Sequence, residues 1–540
     1  MSLPNNKLTI ITDNPICANG AVENSDASYS TTVVSGGLLT LPDSQINVNS
    51  VDSGDVVSVK TIDVNLEDSL GAPVTPTSVG LVGNTLTIEV PSSAPPSTGD
   101  YLVRFFDIDG TILKEEYVDA GNAATAPSNP TYDSTYLTFD GWNNTFTNIQ
   151  HDLDVGAIYD TVDGKTYLFL KVTNVTGLQP TLQLNKATTA LLTINWGDAT
   201  TNTTTSSGNI NVTKTAAYAS VGDYVVSIEC AANYGVSSSG YILGNNTTYS
   251  RCLIKAYLGD RVTVFSEIFR NHTMLEIFSM PNLLTIIDPN SLVGCASLIH
   301  FNMPLSVTSL GNAVFNGCSS LKSFVFSQGN TTLQNNFFLN CVSLKKIILP
   351  DTTTSIGIST FSGCGSLEFV YMPSSVTTLN GETFLSCRSL KTINLPNNIS
   401  INYDVFRNCS ALQKITLPLG VSFIDQNHFR DCSSLAEVVI LSTSLTAVNN
   451  NTFFNNLALK SLEFPASLTS IGTNSFSGNA QILEYVFNST TPPTLAATSA
   501  FTGINAACKI YVPDANVAAY KAATNWSTYT NYIYPLSTKP

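Results

Sequence analysis

Eleven cysteines and four histidines are the side chains of this 540-residue sequence best suited to ligate a metal, form disulfides or act as nucleophile and base. Seven thiols, Cys295, Cys318, Cys341, Cys364, Cys387, Cys409 and Cys432, follow one another in steps of 23, 23, 23, 23, 22 and 23. Zinc sites draw on ligands paired about two to four residues apart, a spacing this ladder never offers. Neighbouring steps would lie within disulfide reach, but with Cys17, Cys230, Cys252 and Cys508 the total is odd. The ladder therefore reads as buried free thiols packed like small hydrophobes, in a chain that folds in a reducing compartment. Three of the histidines, His272, His300 and His428, lie among the ladder residues and His151 ahead of them. No Gly-x-Ser-x-Gly elbow, phosphate loop, dinucleotide fingerprint or His-Glu-x-x-His site accompanies them, and the carboxylates are scattered. Catalytic residues, metal sites and cofactors are not expected.

The composition bounds what the chain can be. Charged residues are 12 % and hydrophobic ones 43 %, and Asn, Thr and Ser take the place of charge, which favours strands and turns over long helices. The formal net charge of -15 works against nucleic acid and anionic lipid. No run approaches the roughly 18 apolar residues of a membrane span, and Met1 to Lys7 lacks the marks of a secretion signal. The length implies several domains.

The thiols belong to a longer repeat, Phe-x-x-Cys-x-x-Leu, whose Cys phase is continued by His272 before the ladder and by Asn456 and Asn479 after it, ten units in all. A unit of this length cannot bury its apolar edge alone, but a stack can, so each is one rung of a leucine-rich solenoid. Strands advance about 4.8 Å per rung, giving a rod of the order of 50 Å. With the Thr-Ser-Ile-Gly turns at Thr354–Gly357 and Thr469–Gly472, the pattern resembles the BspA-like leucine-rich repeats of bacterial surface proteins over 251–490. Residues 491–540 resemble the closing segment of such arrays: Asp514 is placed to cap a short helix whose Val517, Tyr520 and Trp526 cover the last rung.

The front half reads as a string of small β-domains. Alternating segments at Tyr29–Asp43, Val56–Val64 and Leu86–Val90 make 1–98 one of them, ended by the Pro- and Ser-rich stretch from Pro91 to Gly99. Tyr101–Phe106, a hairpin turn at Asp107–Gly110 and Tyr136–Trp142 resemble an InlB B-repeat over 99–142. Trp196-Gly197-Asp198, Tyr218 and Val221–Val226 resemble a PKD-like sandwich over 143–250, with Tyr159 to Leu170 as an accessory strand pair. The PKD-like resemblance implies a spacer.

Binding is then sought on the rung strands, where residues out of phase with the buried one point away from the core. These are His300 and Asn302, Ser323 and Val325, Lys346 and Ile348, Phe369 and Tyr371, Thr392 and Asn394, and Lys414 and Thr416. Phe369 and Tyr371, flanked by Lys346, Ile348, Thr392 and Lys414, form the candidate patch for a host-surface glycan or protein. The phrases Asn24–Tyr29 and Ser35–Asp43 resemble segments of virion proteins of crAss-like phages. That resemblance implies a structural, adhesive fibre or decoration protein on the virion surface. It would dock to other virion proteins through its N-terminal domain and be homo-oligomeric, with a trimer favoured by analogy. A bacterial cell-surface adhesin is the alternative, and a carbohydrate-active enzyme with accessory modules the third.

Overall fold

The computed structural model describes residues 101–174, 178–236, 243, 251–264, 268–329 and 331–540, with five short strands ahead of them. The chain is mainly β, 31 % strand against 6 % helix, and it divides into two compact units, Met1–Tyr101 and Leu102–Pro540.

In the first unit, β1 (Leu8–Ile11), β2 (Asp63–Glu67) and β3 (Pro73–Val74) form an antiparallel sheet in that order. β4 (Ser78–Val82) pairs antiparallel with β5 (Thr85–Glu89), Val79 opposite Ile88. The expected segment Tyr29–Asp43, the virion-like phrases and the Pro91–Gly99 punctuation lie outside the described residues.

The second unit opens with a four-stranded sheet made of β6 (Tyr101–Phe106), β7 (Ile112–Val118), β8 (Leu137–Trp142) and β9 (Leu153–Thr161), ordered β7-β6-β9-β8. β9 runs parallel to β6 and antiparallel to β8. The boundary expected at 142/143 thus cuts through a sheet, and Tyr159 belongs with the first module. The turn at Asp107–Gly110 is present: Gly110 N–H donates to Asp107 O at 3.1 Å and Asp107 N–H to Thr111 O at 2.8 Å.

A two-sheet sandwich follows. Its strands are β10 (Thr166–Val172), β11 (Thr181–Lys186), β12 (Leu192–Asn195), β13 (Thr201–Thr204), β14 (Gly208–Thr213), β15 (Gly222–Cys230), β16 (Tyr234–Val236), β17 (Leu253–Tyr257) and β18 (Val262–Val264). One sheet is ordered β14-β11-β16-β18; the other, β13-β12-β15-β10-β17, continues into β19 (Ile277–Ser279). Trp196 is fully buried between them, its indole N–H donating to Asn202 Oδ1 at 2.6 Å, while the Tyr218 hydroxyl donates to Trp196 O at 2.9 Å. Gly197 turns the chain at φ +80°, where a Cβ would meet the Val225 backbone at 2.8 Å.

β17 belongs to both halves. It is antiparallel to β10 of the sandwich and parallel to β19, a rung strand. The sandwich therefore caps one end of the solenoid with paired backbone instead of leaving an open edge. The solenoid has about 12 turns between residues ~255 and 535, against the ten rungs expected. The additional turns carry no Phe-x-x-Cys because they double as caps.

Inside the rungs the ladder thiols are buried, and each donates to a backbone carbonyl of the rung before. Cys295 bonds Phe269 O at 3.0 Å, Cys341 bonds Phe315 O at 3.1 Å and Cys432 bonds Phe406 O at 3.0 Å. They are hydrogen-bond donors as well as small hydrophobes. That is why Asn479 can stand in the same phase, since its Nδ2 donates to Phe453 O at 2.8 Å. Beside them Phe338, Phe361, Phe384, Phe406, Phe429 and Phe453 stack at 5.4–5.7 Å with ring planes 2–16° apart. The residue before each Cys-phase position, from Gly294 and Gly317 through Asn340, Asn408 and Asn455 to Gly478, has φ between 59° and 80°. Glycine and asparagine tolerate that left-handed turn best, so the Asn-rich composition is in part a record of it.

At the far end Lys509–Val512 pairs parallel with Glu484–Val486, and Ile533–Pro535 pairs with Lys509–Val512. Trp526 and Tyr520 are fully buried there, with the Trp526 indole donating to Pro493 O at 2.7 Å and the Tyr520 hydroxyl to Ser489 O at 2.9 Å. Asp514 does not cap the helix Val517–Ala522; its Oδ1 accepts from Ser537 N–H at 2.9 Å and ties down the C-terminus instead.

Candidate functional site

The rung strands pair parallel and in register, His300 beside Ser323 and Lys346 beside Phe369, with Phe301, Phe324, Ile347 and Val370 turned into the core. The flanking residues point to the other face, as the strand period requires. Along the first rungs that face is not open, because the β6–β9 sheet lies on it.

Asn302 is the centre of the junction. Its amide donates to Asp107 O at 3.2 Å and Ala157 O at 3.1 Å, and its Oδ1 faces His300 Nε2 at 2.6 Å. His300 Nδ1 meets Ser323 Oγ at 2.6 Å, and the ring stacks on Phe106 at 5.3 Å. Burial pushes the His300 imidazole down to about 4, so it is neutral at physiological pH. β9 comes so close that a Cβ on Gly156 would stand 2.3 Å from Asn302 Cγ, which makes glycine the residue that fits. Asn143 and Asn144 reach across as well, their amides donating to Met303 O at 3.0 Å and Phe326 O at 2.8 Å. His300, Asn302, Val325 and Ile348, expected to face solvent, are buried. The strand period gave their direction correctly, and a second sheet covers them.

The candidate patch marks where that cover ends. Lys346 Nζ pairs with Asp152 Oδ2 at 3.1 Å and lies 5.4 Å over the Phe369 ring. Tyr371 stacks on His151 at 4.1 Å, and both reach Asp351: His151 Nε2 meets Oδ2 at 3.1 Å and the Tyr371 hydroxyl donates to Oδ1 at 3.3 Å. Behind them a cleft of ≈170 Å³ opens between sheet and solenoid, lined among others by Asn144, His151, Asp154, Gln328 and Ile348. Of the six patch residues, Lys346, Ile348 and Tyr371 therefore belong to an internal seam. Phe369 is 39 % exposed, and Thr392 and Lys414 are exposed on the rungs beyond. Lys414 Nζ pairs with Glu437 Oε1 at 2.7 Å, both half in water, a pair worth at most about 1 kcal/mol and free to rearrange for a ligand.

The seam residues Asn143, Asn144, His151 and Asp152 escape a reading by periodicity because they lie in or beside loops. The visible trace is Asn143-Asn144 directly after Trp142, two amides where a strand ends. Among the described residues no group of three or more His, Cys, Asp or Glu is arranged to hold a metal ion, and no helix is long and apolar enough to cross a membrane. The imidazoles of His272 and His428 are also buried, and burial pushes them down to about 4.

Two overlapping stretches, residues 243–368 and 354–483, match the family of BspA type leucine rich repeat regions in six copies. No curated protein matches the chain. Solved structures similar to it include a leucine-rich repeat protein from Bacteroides ovatus, 21 % identical over 57 % of this chain and 95 % of that one, TM-score 0.40. Another is a leucine rich cell surface protein from Faecalibacterium prausnitzii, 20 % identical over 55 % and 92 %, TM-score 0.34. A third is the pneumococcal vaccine antigen PcpA, 17 % identical over 51 % and 77 %, TM-score 0.34. The family match and the rung geometry agree: over residues 243–483 the solenoid is similar to BspA type leucine rich repeat regions.

Proposed function

We propose that the chain is a non-catalytic adhesive protein and that it binds through the open part of its strand face, from Phe369 through Thr392 and Asn394 to Lys414. The observation that carries this reading is where the cover stops. The β6–β9 sheet ends at the His151–Tyr371 stack; the same rung still presents the exposed ring of Phe369, and the next rungs present hydroxyl, amide and ammonium groups. That mixture suits a host-surface glycan or protein. The covered rungs and the two caps give this strip rigid support, which reduces the ordering cost of binding. On this reading the sheet at 101–161 and the sandwich are the InlB-like and PKD-like spacers, here one of them docked on the solenoid.

The finer placement is the virion surface, with Met1–Tyr101 docking other virion proteins and the chain assembled as a homo-oligomer; mass spectrometry of purified virions tests it. Recovery in the bacterial envelope fraction and absence from particles would replace it with the cell-surface adhesin. For the strip itself, the full chain carrying Phe369→Ala, Thr392→Ala and Lys414→Ala is expected to adhere to host cells at least about tenfold more weakly. Unchanged adherence of a folded triple variant would refute the strip.

A further inference from the structure

The ladder's one short step has a structural consequence on the second line of strands. Between Pro396 and Ile401 the sequence uses one residue fewer than between Pro373 and Leu379 or between Pro418 and Ile424. Before the short rung the register holds, Thr378 beside Ser400 and Leu379 beside Ile401, with Ser400 N–H donating to Thr377 O at 2.8 Å and Asn402 N–H to Leu379 O at 3.0 Å. It holds again after the following rung, where Thr446 N–H donates to Ser422 O at 2.8 Å and Asn449 N–H to Ile424 O at 2.9 Å. Between these two interfaces Ser400–Ile401 and Phe423–Ile424 fall in separate sheets. Gly420 N–H still reaches Asn397 O at 3.0 Å, but the bonds equivalent to the other two, from Ser422 to Ile399 and from Asp425 to Ile401, are not made.

Between the shortened loop and the next rung lies a slot of ≈390 Å³. That volume lies within the roughly 300–1,000 Å³ of small-molecule pockets, whereas the seam cleft falls below it. Ile399, Ile401 and Val421 line it as buried apolar residues. Asn398, Ser400 and Ser422 supply amide and hydroxyl groups, and the Phe423 ring is 43 % exposed. No charged side chain is among the lining residues. Backbone donors and acceptors that a regular rung would consume remain for a ligand.

We infer that this slot binds a neutral pyranose unit of a surface polysaccharide. A sugar ring has the matching chemistry: hydroxyls around its rim for the amide, hydroxyl and backbone groups, and an apolar C–H face for Phe423. A phosphorylated or carboxylated ligand finds no cation in the lining and meets a chain of net charge -15. The inference does not depend on the strand-face strip, because Phe423 and Phe369 can be altered separately.

Saturation-transfer NMR on the full chain tests it, with millimolar methyl glycosides of glucose, galactose, mannose and N-acetylglucosamine as probes and N-acetylneuraminic acid as the charged control. At least one neutral glycoside is expected to receive saturation. The affinity should fall about tenfold or more in Phe423→Ala, should fall in the milder Ser422→Ala, and should be unchanged in Phe369→Ala. Inserting one threonine between Ile399 and Ser400 restores the 23-residue step and should close the slot, abolishing binding in a protein that melts normally. Silence from every neutral glycoside would overturn the inference, as would binding that survives Phe423→Ala and Ser422→Ala in folded protein. Saturation of an extended acetyl-Thr-Val-Thr-Val-amide peptide with none of the sugars would overturn it too, in favour of strand addition.

Discussion

The thiol of Cys364 donates to the carbonyl of Phe338 at 3.2 Å, and that carbonyl already accepts the backbone N–H of Cys341 at 3.0 Å. One phenylalanine carbonyl thus joins the turn of its own rung to the side chain of the next, and the same arrangement recurs along the ladder. The thiols tie rungs together, in a position where the carbonyl keeps one partner if the thiol is lost.

A consequence for chemistry follows from their burial. Burial pushes the Cys364 and Cys409 thiols up to about 12 and raises Cys295, Cys341, Cys387 and Cys432 well above the ordinary range. All seven ladder cysteines are therefore expected to resist a thiol-specific reagent in the native protein and to react together on unfolding. Peptide mapping of labelled cysteines, with and without denaturant, reads this directly; labelling of the ladder under native conditions contradicts it.

Size and donor capacity can be separated at one position. Cys364→Ser keeps a donor and nearly the same volume, and should cost no more than about 1.5 kcal/mol, the usual worth of a hydrogen bond. Cys364→Leu adds volume to a filled rung and should cost about 1–3 kcal/mol. Denaturant midpoints of the two variants check the order; a leucine variant as stable as the serine one would show that the rung is not close-packed there.

Three buried histidines make the fold sensitive to acid. His272, His300 and His428 are held at about 4, whereas in the unfolded chain they titrate near 6.5. The folded state resists the proton that the unfolded state accepts, so their contribution is fully present above about pH 6.5 and is lost as the pH falls toward 4. Each accounts for roughly 3 kcal/mol across that window. His272 occupies the phase that holds Asn at 456 and 479, so His272→Asn should fold and should flatten the slope of stability against pH by about one proton. An unaltered slope would show that His272 titrates normally.

How much of this could be read from the sequence follows from which forces are periodic. The solenoid was legible because Phe, Cys and Leu recur every 23 residues and a repeat of that kind has one way to bury its edge. What covers the strand face was not, because the alternation that points His300 and Asn302 away from the core is silent about a partner sheet far away in the chain. A local sign existed at β9: its residues Leu153 to Tyr159 are buried without alternation, as in a strand covered on both faces, and Gly156 stands in their midst. The capping role expected of Asp514 failed for a related reason, since a closer donor, Ser537, comes from the returning C-terminus.

The junction itself can be broken in two ways. Asn302→Leu removes the amide from Ala157 O and from His300 Nε2 and leaves Asp107 O with Gly110 N–H alone, at about 1–3 kcal/mol for each buried group left unpaired. Gly156→Val places a side chain where Asn302 already stands. Both should lower the melting temperature and expose His300, whereas His151→Ala, at the edge of the seam, should do so by much less. Equal effects from the edge and the centre would mean that the sheet is held elsewhere.

Hydroxyl-radical footprinting of the intact protein, alone and on host cells, measures side-chain exposure along the strand face rung by rung. His300 is expected to stay protected in the free protein while Phe369 is oxidised, and Phe369 to become protected on the cells. Oxidation of His300 at the rate of Phe369, or a Phe369 signal unchanged by cell binding, would contradict this.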